Sequence, residues 1–71
     1  MKEKRSKEEV INLIAYVIGK NIYANLNPED FVCDEQSMME FANKNPFALQ
    51  TSFITANAIF EFLEEEGFIN G

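Results

Sequence analysis

Residues 46–67 read PFALQTSFITANAIFEFLEEEG, and this stretch decides the fold. Nothing breaks it between Pro46, which suits the first position of a helix, and Gly67, which suits a left-handed cap followed by the apolar Phe68. One helix from Pro46 to Glu66, about 21 residues long, is expected. Leu49, Phe53, Ala56, Phe60 and Leu63 are spaced four, three, four and three, which is a heptad seam. Phe47, Ile54, Ala58 and Phe62 add a second apolar side. Two apolar sides need two partners. The expectation is that an earlier helix covers the seam and that a second copy of the chain covers Phe47, Ile54, Ala58 and Phe62.

That earlier helix begins at Lys7. Ser6 and Glu9 have capping-box spacing, in which the Ser side chain takes the third helical N–H and the Glu side chain reaches back to the cap. Val10, Ile11, Leu13, Ile14, Val17, Ile18 and Ile22 recur at helical steps, while Asn12, Tyr16 and Lys20 read as one polar stripe. The helix runs to about Ala24 with Gly19 as its weak point, because Gly has poor helix propensity. Asn25-Leu26-Asn27-Pro28 stops it, and Asn27 caps a short turn entered at Pro28. Asp34 caps a middle helix, Glu35 to Asn43, with Met38, Met39, Phe41 and Ala42 on its apolar side. Lys44-Asn45-Pro46 ends it and repeats the cap-then-Pro device. The predicted fold is all-α: a small bundle of three to four helices with a long C-terminal helix. Residues 1–6 form a basic tail and residues 7–71 a single helical domain.

A chain of 71 residues is one small domain, and folding removes only about 60% of its surface from water. A homodimer would add the burial such a chain lacks. Twelve acidic residues face six basic ones, for a net charge of −6. Lys2, Lys4, Arg5 and Lys7 supply most of the positive charge, so from Glu8 onward two lysines stand against eleven carboxylates, a balance of −9. There is no His and a single Cys, which removes the commonest general base, disulfides within the chain and nearly every transition-metal site. Cys33 reads as a small buried hydrophobe in a reducing compartment. The apolar run Leu13 to Ile18 is too short to span a bilayer and lacks the entry and cleavage site of a secretory signal. A cytoplasmic location in a bacterial host, away from any membrane, is expected.

No constellation carries chemistry. Asn25, Asn27 and Glu29 mimic the start of a calcium loop, but Asp30 and Gln36 stand where it needs Gly and a bidentate Glu. Gly19-Lys20 lacks the spacing of a phosphate loop. The acidic cluster Glu61, Glu64, Glu65 and Glu66 has no nucleophile or base beside it, and at a helix C-terminus these carboxylates oppose the macrodipole. No catalytic residue, metal or cofactor is expected.

Leu49 to Ile69 resembles the helix-turn-helix core of bacterial winged-helix proteins, including the DNA-reading gamma domain of the DNA translocase family. Leu49 stands where that family closes its second helix and Ser52 where it caps the recognition helix. Leu63 to Gly67, with Phe68 and Ile69, matches the acidic end and the apolar pair that follows. The resemblance implies a helix-turn-helix and DNA contacts by Thr51, Ser52, Thr55 and Asn57. Direct DNA binding is nonetheless disfavoured. Phe53 and Ile54 occupy places where readers carry donors, the hairpin wing has no counterpart in this sequence, and Lys20 and Lys44 are the body's only lysines.

Charge points instead to a non-enzymatic, protein-binding module. Carboxylates in two groups, Glu29, Asp30, Asp34, Glu35 and Glu61, Glu64, Glu65, Glu66, steer such a body toward the basic surface of a DNA-binding protein. Small, acidic, Asn-rich helical chains resemble phage or mobile-element inhibitors that block host DNA-handling proteins by mimicking DNA. The alternative is a small dimeric helix-turn-helix transcriptional regulator.

Overall fold

The computed structural model describes residues 5–68. Lys2 and Lys4 of the basic tail, and Ile69 of the helix-turn-helix resemblance, lie outside the described residues. Three helices follow in order: α1 (Lys7–Tyr23), α2 (Glu35–Lys44) and α3 (Pro46–Glu65). The architecture is an all-α bundle, and no strand occurs among the described residues.

Local chemistry sets the helix ends. The Ser6 hydroxyl accepts from the Glu9 backbone N–H at 3.2 Å, and the Glu9 carboxylate accepts from the Ser6 N–H at 2.9 Å. The capping box is therefore complete. Asn27 turns the chain instead of starting a helix: its side chain accepts from the Glu29 N–H and donates to the Asp30 carboxylate at 2.8 Å. Asp34 caps α2 by accepting from the Ser37 N–H at 2.8 Å. Asn45 departs from the expected device. Its side chain donates back to the Phe41 carbonyl, so it closes α2 and makes no side-chain cap on α3. At the far end Gly67 has φ +84°, the Gly67 N–H reaches Glu64 and the Phe68 N–H reaches Leu63. This paired closure satisfies two carbonyls, and the left-handed residue it needs is supplied by glycine.

α1 and α3 make the most extensive contact and run antiparallel: Lys7 lies over the Phe60 ring, while Gly19 meets Ala48. The fully buried stripe of α3 is Ala48, Ser52, Ala56 and Phe60, repeating every four residues, and Leu49 of the expected heptad seam packs half-buried against both core clusters. Ala56 and Phe60 belong to both patterns, but Phe53 is left exposed. Small residues hold three of these places, Ala48, Ser52 and Ala56, and let the two helix backbones approach closely. Ile11, Ala15, Ala56 and Phe60 form one core cluster; Tyr16, Phe41 and Ala48 form the other.

Tyr16 corrects the polar stripe. It is 2% exposed, stacked at 5.0 Å on Phe31 and tilted at 5.5 Å against Phe41, and its hydroxyl donates to the Val32 carbonyl. Burial, with negative charge from Cys33, Asp34 and Glu40 behind it, pushes that hydroxyl above its ordinary pKa. Gly19 is not a weak point either. A Cβ there would meet the Phe41 ring at 3.2 Å and Ala48 at 3.4 Å, so the glycine is where all three helices converge. Cys33 is exposed rather than buried, and Phe31 is the residue of this segment that packs against the Tyr16 cluster.

Tyr16→Phe removes only the hydroxyl and should lower stability by about 1 kcal/mol. Tyr16→Ala should cost about 3–5 kcal/mol and unfold much of a domain this small. Thermal melts followed by circular dichroism read both; equal effects would show that ring packing is not what holds α2. Gly19→Leu should destabilise by about 1–3 kcal/mol through overpacking, despite the better helix propensity of Leu. A rise in melting temperature would refute the close approach.

Candidate functional site

Because α1 and α3 are antiparallel, the first turn of α1 and the last turns of α3 share one end of the bundle. The N-terminus of α2 arrives at the same end: the Glu35 and Glu9 carboxyls lie close enough to shift each other's titration, and Arg5 lies close enough to act on Glu9, Asp34 and Glu35 together. Glu8, Glu9, Asp34, Glu35, Glu61, Glu64, Glu65 and Glu66 therefore define an acidic pole, with Arg5 and Lys7 as its counter-charges. Apart from Asp34, which is half-buried, and Glu9 at its edge, these carboxylates are exposed. Lys7 spends its charge over the Phe60 ring, 5.5 Å from the centroid.

The pole is stabilised unevenly. Glu8, Glu9 and Glu35 sit in first turns of helices, where the macrodipole favours them. Hydrogen bonding to the Ser6 backbone, then to Glu35, holds the Glu9 carboxyl below its usual range. The Ser37 backbone N–H does the same for Asp34. Glu35 is the exception: its hydrogen bond to Glu9 favours the protonated form and raises its pKa. Glu64, Glu65 and Glu66 sit at the unfavourable end of α3, which has no basic residue in its last turn.

The structure divides one of the two acidic groups read from sequence. Asp34 and Glu35 join the pole. Asp30 lies at the opposite end, lining a cleft of about 350 Å³ with Lys20, Lys44 and Glu40 over the buried Tyr16 and Phe41 rings. Glu29 sits beside it in the Asn27 turn. Sequence reasoning placed Glu9 in its capping box and Lys20 on a surface stripe. It had no signal for which distant carboxylates or lysines they would meet, since that depends on the path of residues 24–34.

The two alternative sets are also placed. Phe47, Ile54, Ala58 and Phe62 are all exposed on the side of α3 that faces away from α1. Thr51, Ser52, Thr55 and Asn57 do not form one surface. Ser52 is 3% exposed, enclosed against α1, and the turn a helix-turn-helix needs ahead of it is absent because α3 is continuous there. The Thr51 hydroxyl donates to Phe47 and Ala48 carbonyls and meets the Tyr23 hydroxyl at 3.1 Å; Asn57 donates to Glu61. None of the described helices is long and apolar enough to cross a membrane, and among the described residues no three potential ligands gather as a metal site requires. Compared with known protein families, curated proteins and solved structures, the chain matches none of them.

Glu35 makes the pole's titration testable. A raised pKa means that its contribution to stability is full at low pH, where it is protonated, and is lost as pH rises through the folded-state value. Glu9 and Asp34 behave oppositely and lose their contributions as pH falls. Glu35→Gln keeps a donor toward Glu9 without the like charge, so it should raise the melting temperature at neutral pH. The difference should vanish near pH 3. A variant that melts below the parent at pH 7 would contradict an unfavourable Glu9–Glu35 pairing.

Proposed function

We propose that this chain is a non-enzymatic, protein-binding module that occupies the basic surface of a DNA-binding protein in place of DNA. The observation that carries the reading is the gathering of carboxylates from three helix ends at one pole of a body whose charge from Glu8 onward is −9. Duplex DNA is recognised first by its dense negative charge, and a surface that presents carboxylates at short intervals competes for the same Lys and Arg side chains. Carboxylates gathered at one end also give the field a direction, which raises encounter rates and sets docking orientation. The setting that suits such an inhibitor is a phage or mobile element acting in the cytoplasm of a bacterial host. In this reading the module is a homodimer joined through Phe47, Ile54, Ala58 and Phe62.

Proteins captured from a bacterial lysate by the immobilised chain, and then loaded with duplex DNA, should release that DNA when free chain is added. Replacing Glu61, Glu64, Glu65 and Glu66 by Gln should slow association with the captured protein on the order of tenfold at low salt and flatten its salt dependence. Replacing Glu29 by Gln and Asp30 by Asn should do much less, since both lie away from the pole. Direct binding of the chain to duplex DNA in a low-salt gel shift would sink the proposal.

A further inference from the structure

The outer side of α3 is an apolar surface that the fold leaves open among the described residues. Phe47 is 72% exposed, Ile54 79% and Phe62 58%, and Ala58 lies between the last two. These positions share one side of the helix at steps of seven, four and four, opposite the Ala48, Ser52, Ala56 and Phe60 stripe that packs on α1. With aromatic rings offering about 150–250 Å² each, they present on the order of 400 Å² of apolar area, about half of the roughly 800 Å² per partner that a stable interface buries. Thr51, Thr55 and the Tyr23 ring beside Thr51 extend the same surface.

The charge along α3 gives that surface a direction. α3 carries no basic residue, and its carboxylates are confined to Glu61 and beyond. Lys20 and Lys44, the body's remaining cations, lie at the other end, around the cleft beside the α3 N-terminus. Two copies laid parallel would set Glu61 and Glu65 against the same residues of the other copy. Laid antiparallel, the acidic end of each copy meets the end of the other that carries the lysines. We propose that the chain forms an antiparallel homodimer through the outer face of α3, with its two-fold axis beside Ile54. The spacing fits one register. Phe47 lies opposite the partner's Phe62, Thr51 lies opposite the partner's Ala58, and the two Ile54 side chains meet at the axis. Rings then pair with rings, while the small pair lets the helices approach. Glu65 continues the same line past the partner's Phe47.

This orientation rests on the self-association included in the functional reading and adds a geometry to it. The C-terminal carboxylates of the two copies fall about 30 Å apart, from a rise of 1.5 Å per residue, close to one turn of duplex DNA at about 34 Å. The matching partner is a two-fold-symmetric DNA-binding protein.

Disulfide trapping of the chain alone tests the orientation without any partner. In a Cys33→Ser background, Ile54→Cys should cross-link to itself under mild oxidation. Phe47→Cys and Phe62→Cys should each stay monomeric alone and cross-link when mixed. Self-linking by Phe47→Cys would establish a parallel pair and overturn the proposal while leaving the dimer intact. Sedimentation of the unmodified chain as an 8.2 kDa monomer at 100 μM, a concentration on the order of that at which such patches associate, would overturn both. Ile54→Glu should halve the mass without loss of helicity, because Ile54 takes no part in the monomer's core.

Discussion

The close approach of α1 and α3 is the constraint on which everything else depends. Ala15 on one helix and Ala48, Ser52 and Ala56 on the other are buried and small, so the backbones come near enough for Ile11 and Phe60 to fill one end of the contact. Gly19 extends the approach to α2, where even a methyl group would press on the Phe41 ring. A larger residue along this line would hold the helices apart, uncover Phe60 and draw Tyr16 away from Phe41. The antiparallel arrangement that results is also what brings the α1 N-terminus and the α3 C-terminus to one end.

Much of this was legible in the sequence, and the legible parts were local. Ser6 with Glu9, Asp34 ahead of Glu35, and Gly67 after the acidic run each make hydrogen bonds within a few residues, so spacing alone identifies them. Helix identity followed from periodicity. What escaped were choices that belong to tertiary packing. A pattern of apolar residues marks two faces of α3 equally well, and only the need for small residues against α1 decides that Ser52 goes in and Phe53 stays out. Tyr16 looked polar because its hydroxyl is; in place, the ring is core and the hydroxyl finds the Val32 carbonyl. The acidic pole escaped for the same reason. Glu9 and Glu35 are far apart in sequence, and no local rule joins them.

The pole also shows why it need not be costly. Carboxylates in first turns of α1 and α2 are favoured by the helix dipole and by capping hydrogen bonds, so the fold itself holds Glu9 and Asp34 ionised. Glu35 is favoured by the α2 dipole but opposed by Glu9, and the Glu64 to Glu66 run has no such support. A site that combines self-stabilised charges with a few strained ones keeps most of its field whatever happens at a single residue.

The α1–α3 contact has a consequence for how the chain folds. Ile11 and Phe60 belong to one cluster but lie far apart in sequence, so most of the chain must be drawn into a loop before that cluster exists. Loop closure of that kind comes before the contacts that reward it. Most of the stability of α1 and α3 comes from packing their apolar faces on each other and not from helix propensity. The first and last helices therefore depend on each other for the core that either one lacks alone.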